Sequence, residues 1–116
     1  MPLERDPVHL WDMLQAARGV MHAVHGLTFE QYAADENLRL SVERRVEIIG
    51  EAAGRVSEDL RRQHPEIPWR AMIDQRNVLI HAYDNVASER IWRLTFEDLP
   101  HLIDQLERLV PTPPAQ

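Results

Sequence analysis

Apolar residues recur at alternating steps of three and four along most of the chain, which is the pattern of helices that each turn one face toward a core. The first such stripe predicts a helix over residues 7–25 that Gly26 ends. A second stripe lies in a stretch without proline and predicts one long helix over residues 36–63. These two stripes consist of Leu10, Leu14, Ala17, Met21 and Val24, and of Val42, Val46, Ile49, Ala53, Val56 and Leu60.

Between these helices, Thr28 and Gln31 have the spacing of a capping box, which predicts a short helix over residues 29–34. After the long helix, Pro65 and Pro68 mark a loop, and a further helix is expected over about residues 68–82.

The last apolar stripe predicts a final helix that Ser88 can cap. Pro100 lies inside this stripe and should either kink the helix or begin a new one. The stripe consists of Trp92, Thr95, Leu99, Leu102, Leu106 and Leu109.

No segment alternates as a strand would, so the fold class is all-α, an antiparallel bundle of four main helices plus one short helix. Residues 1–110 are expected to form one domain, and the proline-rich residues 111–116 a disordered tail. The predicted 28-residue helix would be about 42 Å long, more than a compact domain of 116 residues needs. Part of it is therefore expected to pack on a second copy, which predicts a homodimer.

Composition and charge limit the location and the partners to be expected for this chain. No apolar run approaches the length that crosses a bilayer, and the N-terminus does not resemble a signal peptide. The absence of cysteine fits a reducing cytoplasm, so a soluble cytoplasmic protein without a membrane partner is expected. The net charge is -6, although all 13 cationic residues are arginine, which suits phosphate and carboxylate partners. Duplex DNA is not expected as a partner, and any contact with nucleic acid should be local.

The segment RNVLIHAYD, residues 76–84, places unusual chemistry in an apolar stretch. On a helix, Arg76 and Tyr83 share one face, while Asn77 and His81 share a neighbouring face. An amide at Asn77 could fix the tautomer of His81 and leave its other ring nitrogen as a general acid or base near neutral pH. Arg76 could then stabilise the transition state of phosphodiester cleavage without a metal. One histidine cannot readily serve as both acid and base, so two copies facing across a dimer axis would complete the site.

Structural roles compete with this interpretation. Arg76 could pair with a carboxylate, His81 could cap helix carbonyls, and Tyr83 could pack its ring. His22 and His25 have the spacing of two metal ligands, but no third ligand is evident, and a solvated helix end is favoured over a metal site.

Four residues of the long helix bear on this site. Glu47 and Glu51 form an acidic pair that could anchor Arg76, although such pairs are usually solvated. Gly50 and Gly54, four residues apart, would permit close approach of a neighbouring helix.

Arg76, Asn77, His81 and Tyr83 match the R-N-x-x-x-H-x-Y motif of the HepT-like proteins, a branch of the HEPN superfamily. The segments VEIIGEAAGRVSEDLRRQHPEIPWRAM and TFEDLPHLIDQLERL also resemble that family, so the likeness covers most of the chain. One departure is visible, because Asp74-Gln75 precede Arg76 where a small or apolar pair is expected.

The resemblance implies an all-α dimer that acts as the toxin of a type II toxin–antitoxin pair. Such a toxin is a ribonuclease, with Arg76 and His81 as catalytic residues and no cofactor. Its partner is a minimal nucleotidyltransferase, which transfers AMP to the motif tyrosine, here Tyr83. Two other hypotheses stay open: a non-catalytic module that docks the nucleotidyltransferase and presents Tyr83, and a purely structural helical dimer.

Overall fold

The computed structural model describes the backbone of residues 2–80 and 85–114 and the side chains of residues 5–75 and 88–114. Every regular element in these residues is an α-helix, which confirms the all-α fold class. The helices are α1 (Pro2–Val24), α2 (Phe29–Ala34), α3 (Glu36–Arg55), α4 (Glu58–Gln63), α5 (Trp69–Ile80), α6 (Asn85–Glu97) and α7 (Leu99–Leu109).

The predicted signals at the end of α1 and the start of α2 are confirmed. Gly26 follows α1 with a φ of 76°, a left-handed conformation that glycine adopts without steric cost. At the start of α2, the Thr28 hydroxyl accepts a hydrogen bond from the backbone N–H of Gln31 at 3.1 Å. The Gln31 side chain in turn accepts from the backbone N–H of Thr28 at 2.9 Å, which completes the capping box.

The prediction of one helix over residues 36–63 is wrong, because the chain breaks between α3 and α4. Ser57 begins α4 by accepting a hydrogen bond from the backbone N–H of Leu60 at 3.3 Å. Asp6 of α1 accepts hydrogen bonds from the backbone N–H and the hydroxyl of Ser57, at 2.9 and 2.6 Å. Since Asp6 is only 2% exposed, these bonds satisfy a buried carboxylate and fix the break.

This break removes the argument from helix length for a dimer. At 1.5 Å per residue, the 20 residues of α3 extend for about 30 Å. The described protein is 43 Å long, so α3 fits within one subunit. The homodimer stays a prediction that rests on the chemistry of the motif.

The final predicted helix is also two helices. Asp98 separates α6 from α7, and Pro100 lies in the first turn of α7, where its missing N–H costs no helical hydrogen bond. Of the two alternatives for Pro100, the second is therefore right. The capping role predicted for Ser88 is wrong, because α6 begins at Asn85 and Ser88 lies within it.

The core forms around α3, which packs against α1 and α5, while α1 also packs against α7. Its buried apolar side chains come from all the larger helices, and they include Met13, Leu14, Val20, Val42, Val46, Ile49, Met72, Ile91, Leu99, Leu102 and Leu106. Among the described residues no helix is long and apolar enough to cross a membrane.

Candidate functional site

The first half of the sequence motif lies on α5. Arg76 and Asn77 occupy the third turn of this helix, which begins at Trp69. The side chains of these two residues, and the whole of His81 and Tyr83, lie outside the described part of the structure. The faces that these four residues share remain predictions, and the described surroundings of α5 show what the site is built upon.

Close contact between α3 and α5 sets the position of the motif helix. A Cβ atom on Gly50 would lie 2.8 Å from the backbone carbonyl oxygen of Met72, four residues before Arg76. This confirms the prediction of close helix approach at Gly50. It does not apply to Gly54, where an added Cβ would meet nothing within 4 Å. The motif helix is thus seated on α3 at a position where only glycine fits without a shift.

A cavity of about 150 Å³ lies between α3, α5 and α7. Its walls are largely apolar, but the side-chain oxygen of Gln75, which is buried, makes no hydrogen bond among the described residues. The two residues before the motif, where a small or apolar pair was expected, have different surroundings. Gln75 lines the cavity, whereas Asp74 is exposed. A glutamine with a buried side-chain oxygen therefore lies directly before the motif arginine.

The predicted acidic pair has a partner on its own helix. An Nη of Arg44 lies 2.8 Å from a carboxylate oxygen of Glu47 and 3.6 Å from one of Glu51. Ion pairs as exposed as these contribute little to stability. An additional contact from either carboxylate to Arg76 stays a prediction, because the Arg76 side chain lies outside the described residues.

The chain contains two tyrosines, and the structure describes one of them. Tyr32 is 1% exposed, and its hydroxyl has no hydrogen-bond partner in the described residues. Burial, with a smaller effect of the Glu43 carboxylate, raises the pKa of Tyr32 to about 12, partly offset by Arg39. Its hydroxyl is thus both inaccessible and hard to ionise.

A family model of the HepT-like ribonucleases matches residues 13–109, from α1 to the end of α7. The chain belongs to the HepT-like ribonuclease family. A protein of Thermococcus cleftensis named probable ribonuclease HepT is 38% identical over 101 residues, which cover 87% of this chain and 92% of that protein. A protein of Methanocaldococcus jannaschii with a provisional RNase name is 32% identical over 98 residues, 84% of this chain and 90% of the relative. No solved structure matches the chain.

Membership in the HepT-like family agrees with the resemblance drawn from the motif, and the matched range includes all of α5. The histidine pair fits the solvated helix end that was favoured, since His22 and His25 are not buried around the end of α1. Within the described residues no group of three potential ligands could hold a metal ion.

Two features of the structure could not be found in the sequence pattern. Gln75 is one polar residue among several on α5, and only the packing of α3 and α7 shows that its side-chain oxygen is buried at a cavity. Asp6 has no motif, and its role at Ser57 depends on a contact across 51 positions. For Gly50 the spacing of small residues indicated a close helix contact, but nothing in the sequence identified Met72 as the residue on the other side.

Proposed function

We propose that this protein is the ribonuclease toxin of a type II HepT and nucleotidyltransferase pair, and that it cleaves RNA without a metal ion. The observation that carries the proposal is the complete R-N-x-x-x-H-x-Y motif, residues 76–83, in a chain that belongs to the HepT-like ribonuclease family. The names of the relatives from Thermococcus cleftensis and Methanocaldococcus jannaschii support RNA as the substrate class.

In the proposed reaction, His81 accepts the proton of a ribose 2′-hydroxyl, whose oxygen attacks the adjacent phosphorus. The bond from phosphorus to the 5′-oxygen breaks, a 2′,3′-cyclic phosphate forms, and the leaving oxygen takes up a proton. Arg76 stabilises the extra negative charge on the phosphoryl oxygens in the transition state. Asn77 orients His81 by a hydrogen bond to its ring.

The proton must be removed on one side of the phosphate and delivered on the other. Each chain contributes one motif histidine, so two chains across a two-fold axis supply both groups. We therefore place the active site at a homodimer interface. Light scattering at micromolar concentration should give about twice the subunit mass of 13.5 kDa. A monomer that cleaves RNA at full rate would refute the composite site.

Regulation would act through Tyr83. Its phenol oxygen attacks the α-phosphorus of ATP on the nucleotidyltransferase, pyrophosphate leaves, and AMP remains attached. The added phosphate would pair with Arg76 and exclude RNA. Since Tyr32 is buried, the mass of one or more AMP units should appear on the wild-type chain and be absent from Tyr83→Phe.

The deciding experiment is expression of the chain with and without a cognate nucleotidyltransferase, while growth and RNA integrity are followed. The wild type alone should arrest growth and degrade RNA, whereas Arg76→Ala and His81→Ala should do neither and keep their helical circular dichroism. Asn77→Ala should reduce activity less, because its role is orientation. Full toxicity of His81→Ala would instead favour a docking module that presents Tyr83.

Metal independence has its own test. Purified protein should cleave RNA equally well in excess chelator and after Mg²⁺ or Mn²⁺ is restored. Loss of cleavage in chelator with recovery on adding metal would overturn this part of the proposal and leave the ribonuclease assignment intact.

A further inference from the structure

A wide groove of about 1050 Å³ lies between α4, the loop that follows it and the first half of α5. Three of the 13 arginines, Arg61, Arg62 and Arg70, line it. The protein as a whole carries a charge of -6, so this concentration of guanidinium groups is local. A local set of arginines suits the phosphate backbone of one nucleic acid strand better than the wide surface of a double helix.

Among the described side chains, two of these arginines have no carboxylate partner. Arg62 lies 2.9 Å from a carboxylate oxygen of Asp59, whereas Arg61 and Arg70 form no ion pair among the described residues. Arg70 is exposed, and Arg61 is partly buried with its Nε enclosed. A phosphate oxygen would accept charge-assisted hydrogen bonds from such donors.

The groove walls are already held in place. The Trp69 indole N–H donates to the backbone carbonyl of His64 at 2.9 Å, which ties α5 to the loop. From α7, the side chain of Gln105 donates to the backbone carbonyl of Glu66 at 3.0 Å. A ligand would therefore meet a formed groove and would not have to order the loop, which favours affinity.

Helical register connects this groove to the motif. Arg70, Asp74 and Asn77 lie at i, i+4 and i+7 on α5, so they follow one face of the helix. At 1.5 Å per residue, Arg70 and Asn77 are about 10 Å apart along the axis. A strand whose reacting phosphate lies at Arg76 and Asn77 would thus extend into the groove within a few nucleotides.

We propose that this arginine-lined groove binds the phosphate backbone of single-stranded RNA on one side of the cleaved bond. This inference rests on the proposed ribonuclease function and assigns the path of its substrate. Arg61 and Arg70 contact phosphates of the strand. Substrate recognition here depends on backbone charge and single-stranded character, and it adds affinity without reading sequence.

Two carboxylates, Glu58 and Asp74, also line the groove and oppose an anionic chain. Asp74 is exposed and lies between Arg70 and Asn77 on the path of the strand. Its charge should weaken RNA binding, so its neutralisation must have the opposite effect to removal of an arginine. Loss of an arginine should therefore weaken RNA binding, whereas neutralisation of Asp74 should strengthen it.

The experiment measures binding of a long fluorescent oligouridylate to His81→Ala protein by anisotropy, so that cleavage does not interfere. Arg70→Gln should raise the Kd about fivefold and Arg61→Gln/Arg70→Gln about tenfold or more. The slope of log Kd against log salt should fall by about 0.7 for each phosphate that the variant no longer binds. Asp74→Asn should lower the Kd about threefold.

The matched control is Arg93→Gln, because Arg93 is an arginine of α6, which contributes no described residue to the groove. It should leave the Kd within a factor of two. An equal effect of Arg93→Gln and Arg70→Gln would show that only net charge matters and would overturn the groove. So would tight binding of an acidic peptide by a protein that does not bind oligouridylate. If Arg61→Gln impairs folding, Arg70→Gln alone still tests the groove, because the Arg70 side chain is exposed.

Cleavage assays separate this inference from the proposed function. With His81 intact, the arginine variants should raise KM for the long RNA and leave cleavage of a dinucleotide, which does not reach the groove, unchanged. Cleavage of both substrates at wild-type KM would overturn the groove and keep the ribonuclease. Arginine-dependent binding without cleavage of either substrate would refute the ribonuclease and keep the groove.

Discussion

Helix α3 meets its two larger neighbours through glycines that face different kinds of atoms. On the α1 side, a Cβ on Gly19 would lie 2.9 Å from the Cζ of Arg45, the far end of a flexible side chain. On the α5 side, a Cβ on Gly50 would lie 2.8 Å from the backbone oxygen of Met72. A guanidinium can swing aside, whereas a helix carbonyl moves only with its helix.

The two interfaces therefore differ in how they tolerate change. Arg45 and Gly50 are about 140° apart around α3 by helical register, so the same helix has one adaptable face and one rigid face. The rigid face carries α5 and hence the backbone of Arg76 and Asn77. The catalytic role proposed for Arg76 requires a closely fixed position, and the packing at Gly50 fixes the backbone of α5.

The largest effect should follow Gly50→Ala. The new methyl group cannot avoid the Met72 carbonyl, so α5 must shift, and overpacking of this kind costs about 1–3 kcal/mol of unfolding free energy. Since α5 carries the motif, RNA cleavage should fall at least tenfold even at temperatures where the variant is fully folded. Urea unfolding and cleavage rates measure the two effects separately.

Gly54→Ala is the control for this variant, because it is on the same helix and its Cβ would meet nothing within 4 Å. Alanine should stabilise α3 there by about 0.5–1 kcal/mol and leave cleavage unchanged. If both alanine variants behaved alike, the close contact at Met72 would not control α5.

A smaller overall effect, on stability alone, is expected from Asp6→Ala in α1. The substitution removes the buried carboxylate that accepts from the N–H and hydroxyl of Ser57, and it should cost about 2 kcal/mol. The folded variant should keep its rate of dinucleotide cleavage, because neither Asp6 nor Ser57 belongs to α5. Asp12→Ala, at an exposed position of α1, should have no measurable effect on urea unfolding. A defect in dinucleotide cleavage by folded Asp6→Ala protein would show that the α1 side also positions the motif.

The contact between Asp6 and Ser57 also illustrates which parts of the fold could be predicted from the sequence. Signals between near neighbours gave correct predictions, as at Gly26 and at the Thr28 capping box. The break at Ser57 was missed because the apolar steps continue through it and its cause, Asp6, is remote in sequence.

The candidate site divides in the same way. Spacing alone identified Gly50 as a point of close approach and RNVLIHAYD as candidate chemistry. The groove at Arg61 and Arg70 depends on how α4 and α5 diverge around two prolines, and no local pattern encodes that distance. Arginines spread along a sequence acquire a common function only when the chain brings them to one surface.

A still smaller effect should follow Gly19→Ala. Displacement of the Arg45 guanidinium opposes the gain in helix propensity, so the net change in unfolding free energy should be below about 1 kcal/mol. In the Arg45→Ala protein, Gly19→Ala should increase the unfolding free energy, because the obstructing side chain is gone. Urea unfolding of both single variants and the double variant measures this coupling. A loss at Gly19 as large as that at Gly50 would contradict the difference between the two faces.

The smallest effect at neutral pH should come from Tyr32→Phe, where α2 packs against α3. The buried hydroxyl has no partner in the described residues, so its removal should change the unfolding free energy by less than about 1 kcal/mol. Alkaline pH should separate the two proteins. Because folding raises the pKa of Tyr32 from 10.0 to about 12, its neutral form stabilises the fold below pH 10, and this contribution is lost as the pH rises toward 12. Urea unfolding across this range should show a steeper loss in the wild type than in Tyr32→Phe. Parallel curves would mean that the Tyr32 hydroxyl is already solvated in the folded protein and that the contact of α2 with α3 does not bury it.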